Sequence, residues 1–193
     1  MNISRQDAAQ ALASVEIADR RMDTLRAYRD AAPFLQLWGA VWFIANAVTE
    51  FWPRQLSAVW LLATVIGSVV TAGIIVLHAR RRKRLGLYSA EKGRRIGRGF
   101  MMVGITILAY FVSMHLVLGH LDARQSNAFT SLFWAFTYMT AGAWLGARLF
   151  LTGAVAVVAI VAGYLYIHEH FALWMAFSAG GSLMLAGFWL RRP

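Results

Sequence analysis

A six-helix membrane-spanning bundle is the fold this sequence predicts, and three observations predict it. The chain of 193 residues is 59% hydrophobic, against about 45–50% for a soluble domain, and its mean hydropathy is +0.54. Six apolar stretches divide it, each close to the ~20 residues that cross a hydrocarbon core about 30 Å thick. Of nineteen Lys and Arg residues, all but Arg54 and Arg124 fall in the N-terminal arm, in alternate gaps between those stretches, or in the tail. Cationic side chains flank cytoplasmic span ends. An even span number then puts both termini in the cytoplasm.

Residues 4–31 read as an amphipathic helix. Ser4 and Asp7 form an S-x-x-D start signal. Ala8, Ala11, Leu12, Val15, Ala18, Met22 and Leu25 recur in steps of three and four, opposite Asp7, Glu16, Arg20, Asp23 and Arg29. Such a stripe needs cover. The mixed charge is wrong for a basic membrane-surface helix, so packing on its own protomer or on a second copy is expected. Pro33 suits the first turn of a new helix. The arm, residues 1–32, is therefore set apart from a transmembrane domain, residues 33–193, with spans at 34–52, 57–79, 99–119, 128–147, 149–167 and 171–190.

Spans two, four and six share a register. Trp60, Trp134 and Trp174 stand near their outer ends. Each is followed eight residues later by Ser68, Gly142 or Ser182, and then by a terminal Arg80, Arg148 or Arg191. Three helical hairpins in parallel repeat would produce this; interfacial Trp and inner Arg occur in any spanning helix. Rows of small residues mark close helix contacts: Ala63, Gly67 and Thr71; Ala159 and Gly163; Ser178, Ser182 and Ala186. Trp38, Trp42, Trp52, Trp60, Trp174 and Trp189 suit interfacial belts.

A net charge of +10 in a soluble chain would suggest nucleic acid. Here the asymmetry of the loops accounts for it, and no nucleic-acid partner is expected. The partners expected are the bilayer and its anionic lipids, met by Arg80, Arg81, Arg82, Lys83 and Arg84. The absence of cysteine excludes disulfides, thiol nucleophiles, covalent haem attachment and cysteine-ligated clusters.

Chemistry, if present, belongs to the ionisable groups at the outer span ends. Glu50 and His115 lie inside spans, where polar residues are costly and often functional. Asn46 shares the Glu50 face one turn away. With Trp134 and Tyr138 of the fourth span, these residues form a candidate ligand or proton pathway. An interhelical hydrogen bond near the headgroups is the plainer reading of a Glu50–His115 pair. Trp134, Tyr138 and Trp144, with Thr137 and Thr140, would line an apolar pocket or simply pack. His115, His120, Asp122, His168 and His170 have side chains that suit zinc, copper or iron. His115 and His120, five apart, fall on different helix faces, and His168 and His170 could converge only in an extended loop, so a site would have to assemble from separate hairpins. Haem b would need an axial pair deeper in the bundle, so no cofactor is expected, with a metal or haem as the residual alternative. Ser178-Ala179-Gly180 resembles the serine motif of rhomboid proteases, but Phe177 precedes it and no histidine follows. No H-E-x-x-H, Walker loop or two-aspartate protease signature is present.

The stretch Arg26-Ala27-Tyr28-Arg29-Asp30-Ala31-Ala32-Pro33-Phe34-Leu35-Gln36-Leu37-Trp38-Gly39 resembles one in small multi-span bacterial inner-membrane proteins of unassigned activity. The resemblance covers the arm and the start of the first span. It implies a bacterial cytoplasmic membrane and assigns no site residue. The function expected is non-enzymatic interaction, sensing or regulation with self-association. A small transporter or channel comes second, and a metal- or haem-binding protein third.

Overall fold

A computed structural model of the chain describes residues 5–84, 90–119 and 121–191. These are almost wholly helical, with no strand among them. Helix α1 spans Arg5–Phe51, and a single 3-10 turn, Pro53–Gln55, joins it to α2, Leu56–Arg84. Then come α3, Ala90–Leu118, α4, Ala123–Leu145, and α5, Ala147–Tyr166. Helix α6, Phe171–Arg191, is α-helical at both ends and π-helical over Ala176–Gly181. Among the described residues, Ser14–Phe51, Pro53–Arg81, Ala147–Tyr166 and Phe171–Arg191 are long and apolar enough to cross a membrane. The apolar run of α3, Gly104–Leu118, is shorter than a span. Helix α4 has the length, but Gln125, Ser126, Asn127, Thr130, Ser131, Thr137 and Thr140 dilute it.

One end of the molecule holds the Arg80–Arg84 run and is called here the basic end. The other holds Glu50, Asp122 and His170.

Pro33 starts no new helix: α1 runs through it for 47 residues, about 70 Å at 1.5 Å per residue. Proline deprives the Arg29 carbonyl of its donor, but Arg29 is exposed and water can serve that oxygen. On both sides of the proline the axis is held by packing, because Tyr28, Ala32 and Leu35 are buried with Leu149, Leu183, Ala186 and Leu190. The arm's apolar stripe is not covered by its own protomer, since Leu12, Val15 and Met22 are exposed. Ser4, the expected start signal, and the side chains of Asp7, Ala8, Ala11, Arg20 and Asp23 lie outside the described ones.

The core forms where α1, α4, α5 and α6 meet, around Trp42, Ala128, Ala135, Ala156, Ile160, Phe171, Met175 and Ala179. Helices α1 and α6 cross with their backbones in contact. A methyl group on Gly39 would lie 2.7 Å from the Met184 nitrogen, and one on Gly180 would lie 2.5 Å from the Phe43 nitrogen. The contact falls on Gly180 in the π-helical segment rather than on Ser178 and Ser182, which are half-buried. That segment also breaks the proposed register, because π winding takes more residues per turn between Trp174 and Ser182 than α winding does in the other two spans. The turn from α4 to α5 needs Gly146, whose φ of +119° suits only a residue without Cβ, and the Tyr28 hydroxyl closes over it.

The other rows of small residues serve a purpose the sequence does not announce: they seat indole rings. Trp38 lies on Gly67 and donates from Nε1 to Thr71 Oγ1 at 3.1 Å. Trp174 lies on Gly163 and donates to the Ala159 carbonyl at 2.9 Å. Trp42 is no belt residue either. It is 7% exposed and meets Trp60 edge to face, with centroids 5.6 Å apart.

Candidate functional site

Glu50 ends α1, where the helix dipole disfavours a carboxylate. It escapes that field by reaching to the start of α6, where the dipole favours it. Its Oε2 accepts from the Leu173 backbone N–H at 3.2 Å, and its Oε1 accepts from His170 Nδ1 at 2.7 Å. His170 precedes α6 and makes no cap bond of its own. Glu50 therefore caps α6 from another helix. The carboxylate side chain is 14% exposed and the imidazole 73%. The hydrogen bond to Glu50, then its charge, raise the His170 pKa above the usual 6.5; Glu169 adds to this and a small desolvation opposes it. His168 and Glu169 beside it are exposed.

One turn back, Asn46 is fully buried. Its amide donates to the Trp42 carbonyl at 2.9 Å, and its Oδ1 accepts from Asn127 Nδ2 of α4 at 2.6 Å. Ser131 extends the row by donating to the Asn127 carbonyl at 2.7 Å. Thr49 satisfies itself on the Ala45 carbonyl at 2.9 Å. Buried amides must be paired in this way, because an orphan costs about 1–3 kcal/mol. Ser131 also opens onto a central cavity of about 70 Å³, walled by Trp38, Trp42, Trp134, Tyr138 and Ile160.

Asn46, Trp134 and Tyr138 thus converge on one polar row and one cavity, while Glu50 turns away to α6. His115 does not join them. It is exposed, and its Nδ1 donates to the Phe111 carbonyl of its own helix at 2.9 Å. The expected Glu50–His115 pair is replaced by Glu50–His170, because the first-turn N–H of α6 draws the carboxylate that way.

Asp122 is the N-cap of α4. It accepts from the Gln125 N–H at 2.7 Å while Gln125 Oε1 accepts from the Asp122 N–H at 3.2 Å, a reciprocal capping box. The D-x-x-Q spacing carried that signal. His120 lies outside the described residues, and among the described residues no group of three His, Asp or Glu is placed to hold a metal. Arg80, Arg81, Lys83 and Arg84 are exposed along the end of α2; the Arg82 side chain lies outside the described ones.

Arg124 is not among the candidate residues of the sequence. Its guanidinium donates to the Tyr164 carbonyl and lies 4.7 Å from the Tyr164 ring centroid and 5.2 Å from that of Phe171. It ties the start of α4 to the end of α5 and the start of α6 by cation–π contact. Only its isolation from the other cations hinted at a special place.

The Glu50 end is thus a polar rim in which one titrating histidine, one carboxylate and a helix start meet. Comparison with protein-family models, characterised proteins and solved structures finds no match.

Proposed function

We propose that this chain is a non-enzymatic sensing protein of the bacterial cytoplasmic membrane that relays a protonation event at its outer face to its cytoplasmic arm through α1. The orientation follows from the positive-inside rule, which leaves the basic end in the cytoplasm and Glu50 and His170 outside. Six crossings agree with that charge distribution. In that frame α3 and α4 complete the count, with Asn127 and Ser131 turned to the bundle and Thr106, His115 and Thr137 bonded to carbonyls of their own helices.

The observation that carries the reading is the continuity of α1. A single helix runs from the exposed arm to the carboxylate that caps α6. With His170 protonated, the Glu50–His170 pair holds the rod to the last helix. With His170 neutral, the pair loses its charge, and only an uncharged Nδ1–H bond and the backbone cap hold Glu50. Latched and unlatched states are the two-state element that a relay requires. At the far end Leu12, Val15, Ile17 and Met22 are exposed and offer a face to a second copy. The polar row leads to a cavity of about 70 Å³, which has room for only a few waters, and this supports sensing over solute transport.

The pH dependence has a definite sign. The folded-state pKa of His170 lies above its unfolded value, so its stabilisation is complete below about pH 6.5 and is lost as pH rises through the raised value. The chain has no cysteine, so an environment-sensitive dye on Val15→Cys reports the arm alone. In proteoliposomes its emission is expected to shift as external pH rises from about 6 to about 8.5, across the histidine range. His170→Ala is expected to hold it at the high-pH value throughout. Emission that ignores pH, or that His170→Ala leaves pH-dependent, overturns the relay.

A further inference from the structure

At the Glu50 end, α2 and α4 enclose a cleft of about 350 Å³ lined by Leu56, Trp60, Leu121, Ser126, Asn127 and Thr130. We propose that this cleft binds a neutral sugar ring, seated with its C–H face on the Trp60 indole and its hydroxyls on α4. The site is separate from the Glu50–His170 pair, and the proposal is independent of the relay through α1.

The α4 wall is polar. Ser126, Asn127 and Thr130 fall within one turn and share a helix face. Their hydrogen-bonding capacity is largely unspent. Ser131 and Thr137 of the same helix bond back to the Asn127 and Phe133 carbonyls, as hydroxyls in helices commonly do. The Ser126 and Thr130 hydroxyls bond to none of the described residues. Asn127 gives one amide hydrogen to Asn46 at 2.6 Å, and its Oδ1 lies 3.4 Å from Ser131 Oγ. A second amide hydrogen and an oxygen lone pair remain to it. The opposite wall is apolar. Leu56 and Trp60 stand one turn apart on α2, and the indole is held edge to face against Trp42 at 5.6 Å. Its orientation is therefore set before a ligand arrives.

The lining selects the ligand class. No ionisable residue lines the cleft, and the charged residues next to it in sequence are committed elsewhere. Asp122 caps α4, and Arg124 lies on the rings of Tyr164 and Phe171. A carboxylate or an ammonium would lose hydration here without gaining a counter-charge. Hydroxyls and a carboxamide both donate and accept, and the ligand groups that match all three residues are hydroxyls. A hydroxylated edge beside an apolar C–H face describes a sugar ring, and the volume lies within the range of about 300–1,000 Å³ typical of ligand sites. Thr130 is about 10 Å from the start of α4 at 1.5 Å per residue. That depth is within reach of a free sugar and of a sugar headgroup on a lipid.

The test uses the full-length protein in a detergent without sugar groups. Glucose, galactose and mannose are the free probes, read by saturation-transfer NMR; monoglucosyl diacylglycerol is the lipid-borne probe, read by native mass spectrometry. Binding of at least one probe is expected. Thr130→Val should weaken it about fivefold, the effect of one neutral hydrogen bond, and Trp60→Leu should abolish it. Thr137→Val, whose hydroxyl is bonded within its own helix, should leave it unchanged. Glucuronate and glucosamine, which place a charge on the same ring, should bind about tenfold more weakly than the best neutral sugar, or not at all. That comparison needs no variant and carries the test should Thr130→Val or Trp60→Leu fail to fold. Binding of a free sugar assigns a solute, and retention of the glycolipid alone assigns a headgroup; both uphold the site. Absence of binding by every probe overturns the proposal. So does binding of the charged sugars equal to that of the neutral ones, or binding that Thr130→Val and Trp60→Leu leave unchanged.

Discussion

Gly180→Ala is expected to lose about 3 kcal/mol, the upper part of the usual 1–3 kcal/mol range for overpacking. The three atoms nearest the added methyl are the Phe43 nitrogen at 2.5 Å, the Phe43 Cα at 2.7 Å and the Gly39 carbonyl oxygen at 2.9 Å. All are backbone, so no side chain can rotate to make room, and α1 and α6 must separate. The control is Gly73→Ala in α2, where nothing lies within 4 Å and alanine is the better helix former by about 1 kcal/mol. In a thermal unfolding series in mild detergent, Gly73→Ala should match the parent or exceed it slightly, and Gly180→Ala should unfold well below it. Equal melting of the two variants would mean that the helices do not cross at this glycine.

Asn46→Leu is the second large effect expected, at about 1–2 kcal/mol. Two general magnitudes compete here. Removing the partner of a buried polar group costs about 1–3 kcal/mol, while interhelical hydrogen bonds in membranes average nearer 0.6 kcal/mol. The larger applies because Asn46 is fully buried in protein, and its 2.6 Å bond to Asn127 is lost with it. The double replacement Asn46→Leu with Asn127→Leu removes donor and acceptor together and should recover most of the loss. A double mutant no better than the single one would show that Asn127 was never the orphan.

How far the sequence was legible depended on the range of the interaction. Local punctuation marks some helix ends. Pro53 with Arg54 falls between α1 and α2, and the His168–His170 link between α5 and α6, while the α4–α5 turn lies at Gly146, inside the expected fourth span. The capping box at Asp122 was equally local, and only the competing idea of a metal ligand hid it. Partners across the bundle were harder. Glu50 and His170 are 120 residues apart, and both were recognised as ionisable groups at one end. Nothing in composition indicates that a first-turn N–H of α6 outbids His115 for the carboxylate. The rows at Gly67 and Thr71 and at Ala159 and Gly163 were rightly read as contact surfaces, but spacing alone does not say that an indole fills them. Pro33 misled for the opposite reason: its local rule is sound, and packing of Tyr28 and Leu35 on either side overrides it.

The edge-to-face pair of Trp42 and Trp60 has a practical consequence. It bridges α1 and α2, and α2 is otherwise exposed along Leu61, Leu62, Val65 and Val69. Two perpendicular indoles this close couple as chromophores, and such asymmetry is seen in the near-ultraviolet circular dichroism that vanishes when fixed packing is lost. The molecule thus carries an intrinsic optical gauge of whether its second helix is docked, readable without any added label and distinct from the far-ultraviolet signal of helix content.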